Sequence, residues 1–103
     1  EILRKFLDTD PDLPLYISLD KFLLRKEDAR TNWDQGELAL EQLLKWLELV
    51  FEKRKVIGAD ICGENPPDTA RPLSGEDLEI NSRTNRELLL FLKKHIKSQV
   101  ILD

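Results

Sequence analysis

Methionine is absent from this chain, and cysteine, histidine and tyrosine occur once each. A lone cysteine, Cys62, cannot close an internal disulfide, which fits a reducing compartment. A lone histidine, His95, leaves no second imidazole to share a metal ion, so its expected role is a surface residue near a helix C-terminus. No hydrophobic run approaches the roughly 20 residues that a membrane span needs, and the first residues lack a signal-peptide layout. The cytoplasm is therefore the expected location, with no membrane partner. Four glycines and five prolines in 103 residues exclude collagenous and low-complexity classes. A basic face is missing too: 16 Lys and Arg are interspersed with 20 Asp and Glu for a net charge of −4, which argues against nucleic acid as a partner. The chain lacks a start methionine and opens on Glu1 inside a helical pattern, so the expectation is that Glu1 is not a native start.

The remaining composition, 41% hydrophobic and 35% charged, suits one globular domain or a piece of a larger one. Ile2, Leu3, Phe6 and Leu7 share a helical face, and Thr9-Asp10-Pro11-Asp12 ends that helix. Leu15–Leu19 is a short, nearly continuous apolar run, the pattern of a strand covered on both faces. After an irregular, charged stretch and the break at Gly36, residues Glu37–Arg54 carry Leu40, Leu43, Leu44, Leu47, Val50 and Phe51 at three- and four-residue steps. That spacing predicts an amphipathic helix with Trp46 at the margin of its stripe. Lys55–Ile61 predicts a second buried strand. A strand, a helical crossover and a strand make a βαβ unit, so the strands should be parallel. Residues Gly63–Ile80 read as a long polar loop over the carboxyl end of the sheet. Thr84-Asn85-Arg86-Glu87 reads as a capping box into a last helix carrying Leu88, Leu89, Leu92 and Ile96. Val100-Ile101-Leu102 reads as a strand stub. The expected fold class is α/β, a three-layer αβα type with parallel strands, over residues 1–103 as one segment.

Ligands of open parallel sheets bind outside the carboxyl ends of the strands. Asp20 ends the first predicted strand, and Asp60 and Glu64 lie at the end of the second. Carboxylates gathered there suit magnesium or manganese, although strand-terminal Asp residues more commonly cap loop amides. Cys62 reads as a small core filler, Trp33 as a loop anchor or a pocket wall, and Lys21, Arg25, Lys26 and Arg30 as a solvated charge cluster.

Taken in order, Tyr16-Ile17-Ser18-Leu19-Asp20, Thr31, Gly36-Glu37-Leu38, and Val56-Ile57-Gly58-Ala59-Asp60-Ile61 followed by Asn65-Pro66 resemble the C-terminal part of the ureohydrolases. This is the arginase, agmatinase and formiminoglutamase superfamily. Its members carry S-[IFL]-D-x-D, then T-G-T-P-x-x-G-G-L and a helix, then D-[IV]-x-E-x-N-P. The resemblance implies that Asp20 is the aspartate bridging two manganese ions, and that the chain belongs to a larger arginase-like sheet. It implies a parent that hydrolyses a linear C–N bond of a small guanidino-type compound, with room for a homo-oligomer. Phe22 stands where the family has its second aspartate, and Gly63 where a glutamate contacts substrate. Glu64, one residue on, is then the candidate catalytic residue. The family's G-G-D-H-S and D-A-H-x-D motifs are absent, so an upstream segment is expected to carry them. By itself the chain should be inactive. The competing expectations are a non-catalytic α/β scaffold that has lost the metal centre, and an unrelated small doubly wound domain.

Overall fold

The structure, a computed structural model, describes residues 2–31, 35–63 and 74–102. In chain order it contains α1 (Ile2–Asp8), β1 (Leu15–Asp20), a 3-10 turn (Lys21–Leu23), α2 (Leu40–Lys53), β2 (Val56–Cys62) and α3 (Gly75–Leu102). The two strands pair in parallel, with Ser18 opposite Asp60 and Asp20 opposite Cys62. A two-stranded parallel sheet with three α-helices makes the described part an α/β structure. No helix among the described residues is long and apolar enough to cross a membrane.

The α2 stripe does what its spacing predicts. Leu40, Leu43, Leu47 and Phe51 are buried, and they meet Ile17 and Leu19 of β1, Val56 of β2 and Leu88 and Leu92 of α3 in one apolar cluster. Burying an aliphatic side chain of this size contributes roughly 1.5–3 kcal/mol, so this cluster is the main attractive term in the fold. Trp46 stays half exposed at the stripe margin. The helix starts at Leu40 rather than Glu37, because residues 36–38 are used elsewhere. Gly36 N–H donates to the Phe22 carbonyl (2.8 Å), Leu38 N–H to Leu23 O (3.1 Å) and Arg25 N–H to Leu38 O (2.8 Å). A Cβ on Gly36 would lie 2.0 Å from the Leu23 carbonyl oxygen, so only glycine permits this approach.

Four expectations are corrected. The apolar runs do not mean burial on both faces: among the described residues the helices cover only the side of β1 carrying Ile17 and Leu19, while Tyr16, Ser18 and Asp20 are exposed, and in β2 Val56 is buried while Ile57, Asp60 and Cys62 are exposed. The sequence pattern misleads because Tyr16 and Ser18 hydrogen-bond across the open face. The predicted loop ends early, since α3 begins at Gly75; residues 64–73 lie outside the described residues. The capping box sits ten residues upstream of the predicted one. Ser74 Oγ accepts from Asp77 N–H (3.1 Å) and Asp77 Oδ2 accepts from Ser74 N–H (3.0 Å), the reciprocal arrangement of a helix start. Thr84 is mid-helix and spends its hydroxyl on the Asp28 carbonyl instead. Residues 100–102 continue α3 and form no strand.

Candidate functional site

Parallel pairing brings the carboxyl ends of β1 and β2 side by side, and the sequence places Asp20 and Gly63 there. Asp20 is the last residue of β1 and caps the 3-10 turn: its Oδ1 accepts from Phe22 N–H at 2.9 Å. Gly63 follows β2 with φ +96°, a region that L side chains rarely adopt. A Cβ added there would fall 2.8 Å from Asp20 Oδ1 and 3.0 Å from Lys21 N. Glycine is therefore what lets the β2 exit lie against the Asp20 carboxylate.

Lys21, one residue on, points to the other side of the sheet. It is 3% exposed, and its Nζ donates to Asn85 Oδ1 of α3 at 2.8 Å. Three further α3 side chains, spaced along the same helix face, hold the segment that leads away from Asp20. Asp77 pairs with Arg30 (2.9 Å). Asn81 both accepts from Arg30 N–H (2.7 Å) and donates to the Arg30 carbonyl (2.9 Å). Thr84, buried, donates to Asp28 O. Asp28 Oδ2 in turn accepts from Leu40 N–H at 2.8 Å and from Arg25 Nε at 2.8 Å, so the loop caps α2 with a tertiary carboxylate. The expected solvated cluster of Lys21, Arg25, Lys26 and Arg30 is thus corrected in part. Lys26 is exposed, but Lys21 is buried and Arg30 is tied to Asp77 because α3 packs over this segment, and Arg25 pairs with Asp28 of its own loop.

Asp60 lies on the open face, on the same side of the sheet as Asp20. Its Oδ2 accepts from the Tyr16 hydroxyl (3.0 Å) and its Oδ1 from Ser18 Oγ (2.8 Å). The bond to Asp60 is the main reason the Tyr16 phenol pKa is raised above its ordinary value of 10.0, followed by desolvation and the carboxylate's charge. Cys62 is exposed at the end of β2, not a core filler, and its thiol donates to Leu19 O at 3.2 Å. A shallow cavity beside β2 is lined by Ala59, Asp60, Ile61, Asn85, Leu89 and Leu92.

Thr31, the first threonine of the family loop pattern, donates from its backbone to Gln35 Oε1 at 3.4 Å and lies next to the Arg30–Asn81 clamp. His95 is a half-buried residue rather than a surface one: its ring lies tilted 4.2 Å from Phe91 and 5.1 Å from Phe51. Its flanking lysines suggest a surface site, but His95 shares the α3 face of Phe91, four residues earlier, which packs against Phe51 of α2. Glu64, Asn65, Pro66 and Trp33 lie outside the described residues. The α3 residues Asp77, Asn81 and Asn85 escaped sequence reasoning. Their four-residue spacing was legible as a polar stripe on a helix, but no sequence signal pairs that stripe with residues some fifty positions away.

Among the described residues no group of three or more His, Cys, Asp or Glu side chains converges to hold a metal ion. Asp20 Oδ1 is already engaged by an amide, and Phe22 offers no donor. The described residues therefore do not by themselves fit a binuclear manganese centre, which needs several charged ligands to offset two cations. No family model and no solved structure matches the chain. An uncharacterized protein of Thermotoga maritima is 39% identical over 83 residues, which is 79% of this chain and 31% of that relative. The chain spans about a third of the length of the curated relative that it resembles, 31% by residues matched.

Proposed function

We propose that this chain is the C-terminal segment of a ureohydrolase-like protein, in which Asp20 is one metal-facing carboxylate of a manganese centre that other parts of the parent complete. The parent would hydrolyse a linear C–N bond of a small guanidino-type compound in the cytoplasm, and this segment alone would be inactive. In this reading further helices of the parent cover the open face of the sheet and make a three-layer αβα arrangement.

One observation carries the reading. The exposed Asp20 carboxylate ends β1 directly beside the Gly63 exit of a parallel β2. This is where a ligand of an open parallel sheet binds, and where the resemblance puts a bridging aspartate. A longer relative of which this chain spans 31% is compatible with a parent that supplies the rest.

Phe22 favours a second reading, a non-catalytic scaffold that has lost its metal. It fills the position of the second ligand, and its N–H occupies one Asp20 oxygen. Manganese titration of the full-length protein separates the two. The first reading expects Asp20→Asn to weaken Mn2+ binding about tenfold or more, and Phe22→Asp to strengthen it. If neither the wild type nor the Phe22→Asp protein takes up manganese, the ureohydrolase reading fails and the scaffold stands.

A further inference from the structure

Lys21 is a buried cation with no part in the chemistry proposed above, yet it is covalently next to Asp20. Burying an ammonium group is costly unless it is paired or hydrogen-bonded. Its Nζ meets the amide oxygen of Asn85 at 2.8 Å, across 64 positions of sequence. Asn85 belongs to the α3 stripe that also fixes Asp28 and Arg30 through Thr84, Asn81 and Asp77. The Lys21 carbonyl accepts from Leu24 N–H at 3.1 Å, closing the 3-10 turn that Asp20 caps. A lysine held at its backbone by that turn and at its side chain by α3 leaves the preceding carboxylate little freedom to turn.

We propose that Lys21 and Asn85 are positioning residues: their buried bond to α3 sets the direction of the Asp20 carboxylate at the carboxyl end of the sheet. The proposal rests on Asp20 being a site residue, but its measurement needs no metal. Failure here is therefore distinct from failure of the manganese reading.

The reporter is the Phe22 amide, whose N–H donates to Asp20 Oδ1 at 2.9 Å. Its proton resonance and exchange rate follow the orientation of that carboxylate. In the full-length protein, Lys21→Met and Asn85→Leu should each move the Phe22 amide resonance upfield and speed its exchange about tenfold. Leu47 and Phe51 on α2 should keep their protection. Asn85→Asp, which keeps an acceptor oxygen toward the ammonium, should restore the wild-type resonance. A double Lys21→Met, Asn85→Leu variant should fall short of the sum of the two single effects, since the two side chains share the Nζ–Oδ1 bond. The proposal is overturned if the Phe22 amide does not respond, if α2 loosens equally, if Asn85→Asp gives no rescue, or if the two effects add. Should Lys21→Met fail to fold, the Asn85→Leu and Asn85→Asp pair decides alone.

Discussion

The two ends of the sheet are each held by a buried cation, and the cations do different work. At the amino end Arg54, 5% exposed, fans its guanidinium over backbone carbonyls: Leu13 O at 2.9 Å and Leu7 O and Thr9 O at 3.3 Å. These acceptors lie at and beyond the end of α1, so Arg54 acts as a cap for a short helix that the buried Leu7 and the Asp8–Lys53 ion pair also hold. At the carboxyl end Lys21 meets an amide oxygen and follows the exposed carboxylate of Asp20. One cation closes a structural gap. The other, in the reading proposed above, sets the direction of the acid beside it. A buried charge therefore does not announce function by itself.

That comparison can be broken at either end. Arg54→Leu should cost about 3 kcal/mol, because it leaves buried carbonyls unpaired. Denaturant unfolding would measure it, and an unchanged Phe22 amide would confirm that the two ends are independent. Gly36→Ala should cost about 2 kcal/mol by forcing the Leu23 carbonyl away, read as a lower unfolding midpoint. Thr84→Val keeps shape and removes one hydrogen bond to Asp28, for roughly 1 kcal/mol by the same measurement.

The smallest effects are electrostatic. The Ser74 backbone N–H, then the Ser74 side chain, and more weakly Arg30, hold the Asp77 carboxyl below its ordinary value of 3.8. A depressed folded-state pKa stabilises the fold above the unfolded value and is lost as pH falls through the folded one. The difference between Asp77→Asn and wild type should therefore be fully present at neutral pH, start to shrink near the ordinary carboxyl value of about 4, and be lost only below the depressed folded-state value. At the open face, Asp60→Asn should bring the Tyr16 titration back toward about 10, as seen by ultraviolet difference spectroscopy. A Tyr16 that titrates identically in both proteins would remove Asp60 as the cause.

Much of this was legible in advance for a physical reason. A 3.6-residue period and a short apolar run are local properties, so the α2 stripe, the places of the two strands and their parallel relation follow from spacing and connection length. Asp20 was legible as a strand-end carboxylate in the same way. The capping box was misplaced because Thr84-x-x-Glu87 and Ser74-x-x-Asp77 carry the same local signal, and only the tertiary bond from Thr84 to Asp28 O distinguishes them. The basic residues after β1 looked solvated because charge alone says nothing of what packs above them.

By itself, then, the sequence determined the α2 stripe, the places of β1 and β2, that the sheet is parallel, and that a carboxylate stands at its carboxyl end; it did not determine where α3 begins or that residues 100–102 are helix. Tertiary structure alone decided that α3 lies across the loop leaving β1, that Lys21 is buried and Cys62 is not, and that His95 packs against the rings of Phe51 and Phe91. The division has a physical cause. Periodicity and chain connectivity are written in neighbouring residues, whereas burial and hydrogen-bond partnership depend on which distant surfaces meet.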